Sequence, residues 1–161
     1  MQGMDAGFSL LELVVTVGLA GVLCAFAVPR MDRELARMQV RAAANRVAGD
    51  LAHARGVAIR EGAGAVLVLE PAAECAPRFR GRRGGYQYRV GARGQAAERM
   101  RRVNLRAAGG RVCAEVNGAD SVEFTSRGLP RGFHNRTFWV WQGAVADTLT
   151  LSAVGRVLRV R

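Results

Sequence analysis

The chain has 161 residues and a mass of 17.3 kDa, room for one domain and an appendage. All 24 basic residues are arginine and face 13 acids, a net charge of +11, while half of the residues are hydrophobic, which excludes wholesale disorder. Three cysteines with no CxxC pair exclude a zinc-finger array, and His53 and His134 leave little for a histidine-dependent active site.

The N-terminus is the most informative stretch. Phe8 to Val28 reads FSLLELVVTVGLAGVLCAFAV and stops at Pro29-Arg30. As a helix it spans about 31 Å, enough for a bilayer core. Only Glu12 and Cys24 inside it are ionisable. A carboxylate at such a place costs about 2.5–3.5 kcal/mol on insertion scales, so it needs a partner or a task. A cleaved secretory signal would use Ala25-Phe26-Ala27 as its cleavage box, but MQGMDAG has no basic residue and the acid comes early. A lipoprotein signal ending at Cys24 would want small residues just before it, and Gly21-Val22-Leu23 does not supply them.

The third reading rests on Gly7-Phe8-Ser9-Leu10-Leu11-Glu12-Leu13. This run resembles the class III leader of type IV prepilins and type II secretion pseudopilins: a short hydrophilic leader ending in Gly, then Phe, four apolar or small residues, Glu and an apolar helix. Pro29 falls where that family often kinks the helix. The resemblance implies cleavage after Gly7 by a prepilin peptidase and N-methylation of the new Phe8 amine. It also implies that Glu12 neutralises the Phe8 ammonium of a neighbouring subunit during assembly, which offsets its cost in lipid. Arg30, Arg33 and Arg37 follow the span, so the positive-inside rule alone would put the C-terminal part in the cytoplasm. The resemblance implies the periplasm, through a longer basic leader or a dedicated export route.

From Met31 to Arg60 the pattern is helical. Leu35, Met38, Ala42, Val47, Leu51, Ala54 and Ala58 form an apolar stripe for packing on a sheet. Arg30, Arg33, Arg37 and Arg41 form a second stripe, read as a solvated face or as a contact for filament partners or polyanions. Gly62 and Gly64 end the helix. Strands are expected at Ala65–Glu70, Tyr86–Val90, Arg111–Val116, Ser121–Phe124, Thr137–Trp141, Thr148–Leu151 and Arg156–Val160. Residues 71–85 and 91–99 are expected to be loops. Asn117-Gly118, Gly128-Leu129-Pro130 and Val154-Gly155 mark turns.

The sum is an α+β fold: one long N-terminal helix, half transmembrane and half amphipathic, packed on an antiparallel sheet domain. The helix run LAHARGVAIREG, the segment Val122–Gly128 and the closing Leu151–Val157 resemble the GspH/FimT group of minor pseudopilins and minor pilins. The resulting division is a leader at 1–7, a transmembrane and filament-core helix at 8–29, and a periplasmic pilin-like domain at 30–161. The implied setting is the inner membrane, crossed once. The implied partners are other pilins, the prepilin peptidase and an inner-membrane assembly platform, within a type II secretion system or a type IV pilus.

Charge offers an alternative task. Residues 78–106 hold ten arginines opposed by Glu98 alone, with Tyr86 and Tyr88 among them. That pattern is a solvated basic loop or a contact for single-stranded nucleic acid, with Arg78, Arg80, Arg82 and Arg83 as candidate phosphate ligands. The end of the chain adds Arg156, Arg159 and Arg161. A terminal Gly-Arg-x-Arg motif binds DNA in FimT-like minor pilins of transformable bacteria. Here Gly155-Arg156 matches and the next arginine comes one residue later, on the opposite face of a strand. Cys75 and Cys113 either pair in an oxidising compartment or stay as two buried thiols, and Cys24 is a packing residue in the span. No constellation of nucleophile and base, no phosphate loop and no metal-ligand set is present, so neither catalysis nor a cofactor nor a small-molecule substrate is expected. Trp139 and Trp141 share one strand face and are expected in the core.

Overall fold

The computed structural model describes residues 9–79, 81–105, 111–132 and 134–160, with backbone alone at 27–29, 81–83 and 160. Helix α1 runs from Leu10 to Glu61 and continues past Pro29. The chain divides after Leu35 into two units. In the first, the helix is long and apolar enough to cross a membrane. Its large side chains are exposed around the whole circumference, Leu10, Leu13, Val17, Leu23 and Phe26 among them.

The second unit begins at Ala36 and, among the described residues, holds nine strands in two antiparallel sheets. These are β1 (Ala65–Glu70), β2 (Gly81–Gly85), β3 (Gln87–Ala92), β4 (Arg101–Asn104), β5 (Cys113–Asn117), β6 (Ser121–Phe124), β7 (Arg136–Gln142), β8 (Val145–Leu151) and β9 (Val157–Val160). One sheet has the order β4-β3-β1-β6 and the other β2-β5-β7-β8-β9. The chain changes sheet at Tyr86, between β2 and β3.

A single core joins the helix to both sheets. Val40, Ala43, Ala44, Val47, Leu51, Ala54 and Ala58 of α1 are buried against Leu67, Val90 and Phe124 of one sheet and Val116, Phe138, Val140 and Leu149 of the other. Apart from the adjacent Ala43 and Ala44, these helix positions recur at three- and four-residue steps, as one buried face requires. The small residues Ala43, Ala44, Ala54 and Ala58 fill the contact without bulk.

Three sequence expectations need correction. Leu35, Met38 and Ala42 lie outside the buried stripe and are exposed; the stripe passes through Val40, Ala43 and Ala44 instead. Residues 81–85 form β2, where a loop was expected, and Arg101–Asn104 form β4 in the arginine-rich stretch. One sheet was expected and two are present. GRRGG and RRVN carry almost no apolar alternation, so their strand character comes from pairing with β5 and β3.

Candidate functional site

The first candidate site is the start of α1. Glu12 sits in its first turn and is exposed. The Thr16 hydroxyl lies 2.9 Å from the carbonyl oxygens of both Glu12 and Leu13, and the Leu13 N–H donates to the Ser9 carbonyl at 3.2 Å. Gly7 and Phe8 lie outside the described residues. Gly18 and Gly21 have nothing within 4 Å of where a Cβ would stand, and among the described residues nothing covers the apolar stretch from Leu10 to Phe26.

The second candidate is the arginine surface. Four of the ten arginines of residues 78–106, Arg89, Arg93, Arg101 and Arg102, prove to be tied to acids. Glu70 lies between Arg89, in a close ion pair, and Arg102 at 3.9 Å. Glu123 lies between Arg93 at 3.5 Å and Arg131 at 3.2 Å. Arg101 pairs with Asp50 of α1, and Arg46 stands 4.0 Å from the same carboxylate. Each of the three acids is therefore shared by two guanidinium groups. The partly exposed pairs of Glu70 and Glu123 add little stability, about 0–1 kcal/mol each, but they fix where the cations point.

Of the candidate phosphate ligands, Arg78 donates to the Gly143 carbonyl and lies 5.9 Å from the centre of the Phe79 ring. Arg159 pairs with Asp147 of β8 and donates to Asn45 of α1 at 3.3 Å. Arg156 is exposed, its N–H donating to the Ser152 hydroxyl at 3.0 Å. Arg82 and Arg83 belong to β2, where only the backbone is described; Arg80 and Arg161 lie outside the described residues. The structure thus does not gather Arg78, Arg156 and Arg159 into one cluster of uncommitted cations.

The third candidate is the outer face of the β2-β5-β7-β8-β9 sheet. Cys75 and Cys113 are joined by a disulfide with a Cα–Cα distance of 5.6 Å. The bond ties the segment after β1 to β5. Two residues along the same face of β5, the fully buried Glu115 accepts the N–H groups of Arg78 and Phe79, each at 2.9 Å. Phe79 is thereby laid over the tryptophans, stacked on Trp139 at 5.6 Å and edge-on to Trp141 at 5.8 Å. Trp141 and the disulfide form a small second core with Tyr86 and Trp139 at its margin. Gly84 and Gly85 permit it, because a Cβ on Gly85 would sit 1.9 Å from the Glu70 carbonyl oxygen and one on Gly84 2.4 Å from that of Cys75. The tryptophans are packing residues, as their alternation implies.

Two organising acids were not singled out from the sequence. Glu115 stands inside Cys-Ala-Glu-Val, and Asp50 falls on the apolar stripe of α1. An acid at a position whose period says core was the available signal. Asp50 accepts a 2.6 Å hydrogen bond from the buried Tyr88 hydroxyl. Burial first, and then this hydrogen bond and the charge of Asp50, push the Tyr88 phenol well above its ordinary range, against the opposing pull of Arg46 and Arg101. Among the described residues no group of His, Cys, Asp and Glu could hold a metal ion. His53 is an exposed residue of α1.

The fold is similar to that of the type IV minor pilin FimU of Pseudomonas aeruginosa strain PAO1 in two crystal forms. One match has a TM-score of 0.59 at 21% identity and covers 78% of this chain and 90% of that one. The other has a TM-score of 0.55 at 19% identity and covers 75% and 92%. No curated protein matches the sequence. A family model described as type II transport protein GspH matches residues 43–161, which hold most of the sheet-packed half of α1 and the nine described strands. With most of its length so matched, the chain belongs to the GspH family.

Proposed function

We propose that the chain is a minor pseudopilin of a type II secretion system or a type IV pilus-like machine, assembling through its N-terminal helix into a periplasmic pseudopilus. It is made as a prepilin, cut after Gly7, methylated on Phe8 and held in the inner membrane by residues 8–29. The domain at 30–161 lies in the periplasm, and other pilins, the prepilin peptidase and the assembly platform are its partners. The observation that carries this reading is the uncovered apolar rod from Leu10 to Phe26 with one carboxylate, Glu12, near its start. A rod that only anchors needs no acid; one that bundles can pair it with the terminal amine of a neighbour. The pilin-like fold, the family match and the disulfide, which suits an oxidising compartment, support the same reading. Mass spectrometry of the membrane-bound chain, co-expressed with its peptidase and sister pilins, tests it. The expected N-terminal peptide begins with methylated Phe8, and Glu12→Ala should prevent recovery in sheared filaments. An intact Met1 terminus would defeat the reading.

A second reading, a minor pilin that binds DNA during uptake, draws on the net charge of +11 and the exposed Arg156. The internal contacts of Arg78 and Arg159 favour the first.

A further inference from the structure

We infer that the two turns at 125–129 and 152–156 form, with Arg55 and Ile59 of α1, a docking surface for a partner protein that presents carboxylates between aliphatic side chains. The surface belongs to the second unit alone and stands whatever the apolar stretch of α1 does. The two turns are built alike. In the first, the Thr125 N–H donates to the Leu129 carbonyl at 2.9 Å, the Gly128 N–H to the Thr125 carbonyl at 2.8 Å and the Leu129 N–H to the Thr125 hydroxyl at 3.2 Å. In the second, the N–H groups of Ser152, Gly155 and Arg156 repeat these three bonds at 2.8, 2.8 and 3.0 Å. The fourth residue of each is a glycine with a positive φ, 73° at Gly128 and 80° at Gly155. Turns closed by their own hydroxyls are stiff before a partner arrives, so binding has little left to order.

The turns stand against one another, and Arg55 passes between them. Its Cγ would lie 3.2 Å from a Cβ on Gly128 and its Nε 3.4 Å from one on Gly155. Arg127 and Arg156, the chain neighbours of those glycines, are both exposed, with Cα atoms within about 14 Å of one another. Arg55 donates to the neutral Gly155 carbonyl, which leaves its charge unbalanced. Among the described residues no acid forms an ion pair with Arg55, Arg127 or Arg156. The acids nearest to them in sequence, Asp50, Glu123 and Asp147, are each held by other arginines.

Aliphatic surface lies among these cations. Ile59 packs over Gly128 and is still 51% exposed, and Val154, next to Gly155, is 63% exposed. Guanidinium forks take carboxylates through paired hydrogen bonds, and the two aliphatic side chains gain from losing water against apolar groups. A chain of phosphates answers the first demand and not the second. A protein segment with aliphatic residues between its acids answers both. A second copy of this chain is a poor partner, since 24 arginines face 13 acids in each copy.

The test uses the full chain in detergent at about 0.15 M salt and a fluorescein-labelled eight-residue peptide alternating Glu and Leu, read by anisotropy. Arg127→Glu and Arg156→Glu should each weaken binding about fivefold or more, and Val154→Ser, which leaves the charge alone, about threefold. Arg41→Glu makes the same charge change about 21 Å along α1 from Arg55 and should cost less than about twofold. All four side chains are exposed, so the fold survives each change. Equal losses for Arg41→Glu and Arg127→Glu would reduce the effect to net charge and overturn the site. Full binding by Val154→Ser would overturn the partner named here. So would a DNA duplex that displaces the peptide and is itself released by Arg127→Glu, because the arginines would then serve phosphate.

Discussion

A Cβ placed on Gly155 would lie 2.8 Å from the carbonyl oxygen of Gly128. The turn before β9 and the turn after β6 thus meet backbone to backbone. Arg55 of α1 closes the contact, donating to the Gly155 carbonyl at 3.4 Å, with Ile59 against Gly128. The three runs that carried the family resemblance, LAHARGVAIREG, Val122–Gly128 and Leu151–Val157, converge at this point.

Gly155 also has a positive φ of 80°, so Gly155→Ala meets both strain and a clash. A loss of about 2–3 kcal/mol is expected. Gly94 has a φ of 81° and nothing within 4 Å, so Gly94→Ala isolates the backbone part, about 1 kcal/mol. Urea unfolding of both variants separates the two. Equal losses would mean that the turns do not press on one another.

The Tyr88–Asp50 bond predicts an alkaline loss of stability. The folded pKa of Tyr88 lies above the ordinary 10.0, so the folded chain keeps a proton that the unfolded chain sheds. The contribution is complete below pH 10 and declines as pH rises from there toward the folded value, by about 1.4 kcal/mol per pH unit. Tyr88→Phe loses a charge-assisted hydrogen bond, about 1.5–3 kcal/mol at pH 8. Above pH 10 the gap between wild type and variant should narrow, because only the wild type gives up that contribution. A gap that stays constant from pH 8 to 11 contradicts the assignment.

Much of this architecture could be read from the residues, for identifiable reasons. AVLVLE and SVEF alternate cleanly and lie at β1 and β6 with the expected limits. The sheet-packed half of α1 repeats small apolar residues over five turns. What escaped reading depends on pairing and on space. β2 is a strand because β5 lies beside it and because Gly84 and Gly85 admit the backbones of Cys75 and Glu70. The arginines looked uncommitted because Glu70, Glu123, Asp50 and Asp147 are distant in sequence from the guanidinium groups they hold. Linear charge counting sees a basic run; strand pairing and helix packing turn four of its ten arginines into shared ion pairs.

The Cys75–Cys113 bond closes a sequence separation of 38 residues. Cross-links of this span contribute about 2–4 kcal/mol, chiefly by restricting the unfolded chain. Cys113→Ser should lower the midpoint of unfolding accordingly, and dithiothreitol should have no further effect on the variant. The bond also anchors the segment that carries Phe79, so tryptophan fluorescence should shift toward that of wet indole as Trp139 and Trp141 lose their cover. A reduced wild type with unchanged emission would show that Glu115 alone holds the segment.

Arg156 and Arg159 should behave differently although both sit near the end of the chain. Arg159 is bound to Asp147 and Asn45, so Arg159→Ala frees an acid that is only 12% exposed and loosens the β8–β9 edge. It should cost about 1–2 kcal/mol in unfolding experiments while leaving the salt dependence of any DNA retention unchanged. Arg156 has an exposed side chain, so Arg156→Ala should leave stability within about 0.5 kcal/mol of wild type. If the field of the protein holds DNA at low salt, this variant should reduce the slope of log affinity against log salt by about one. Filter binding of a duplex over a salt series reads both. A slope reduced by Arg159→Ala and untouched by Arg156→Ala would reverse the assignment, because it would require the guanidinium group to leave Asp147 for phosphate.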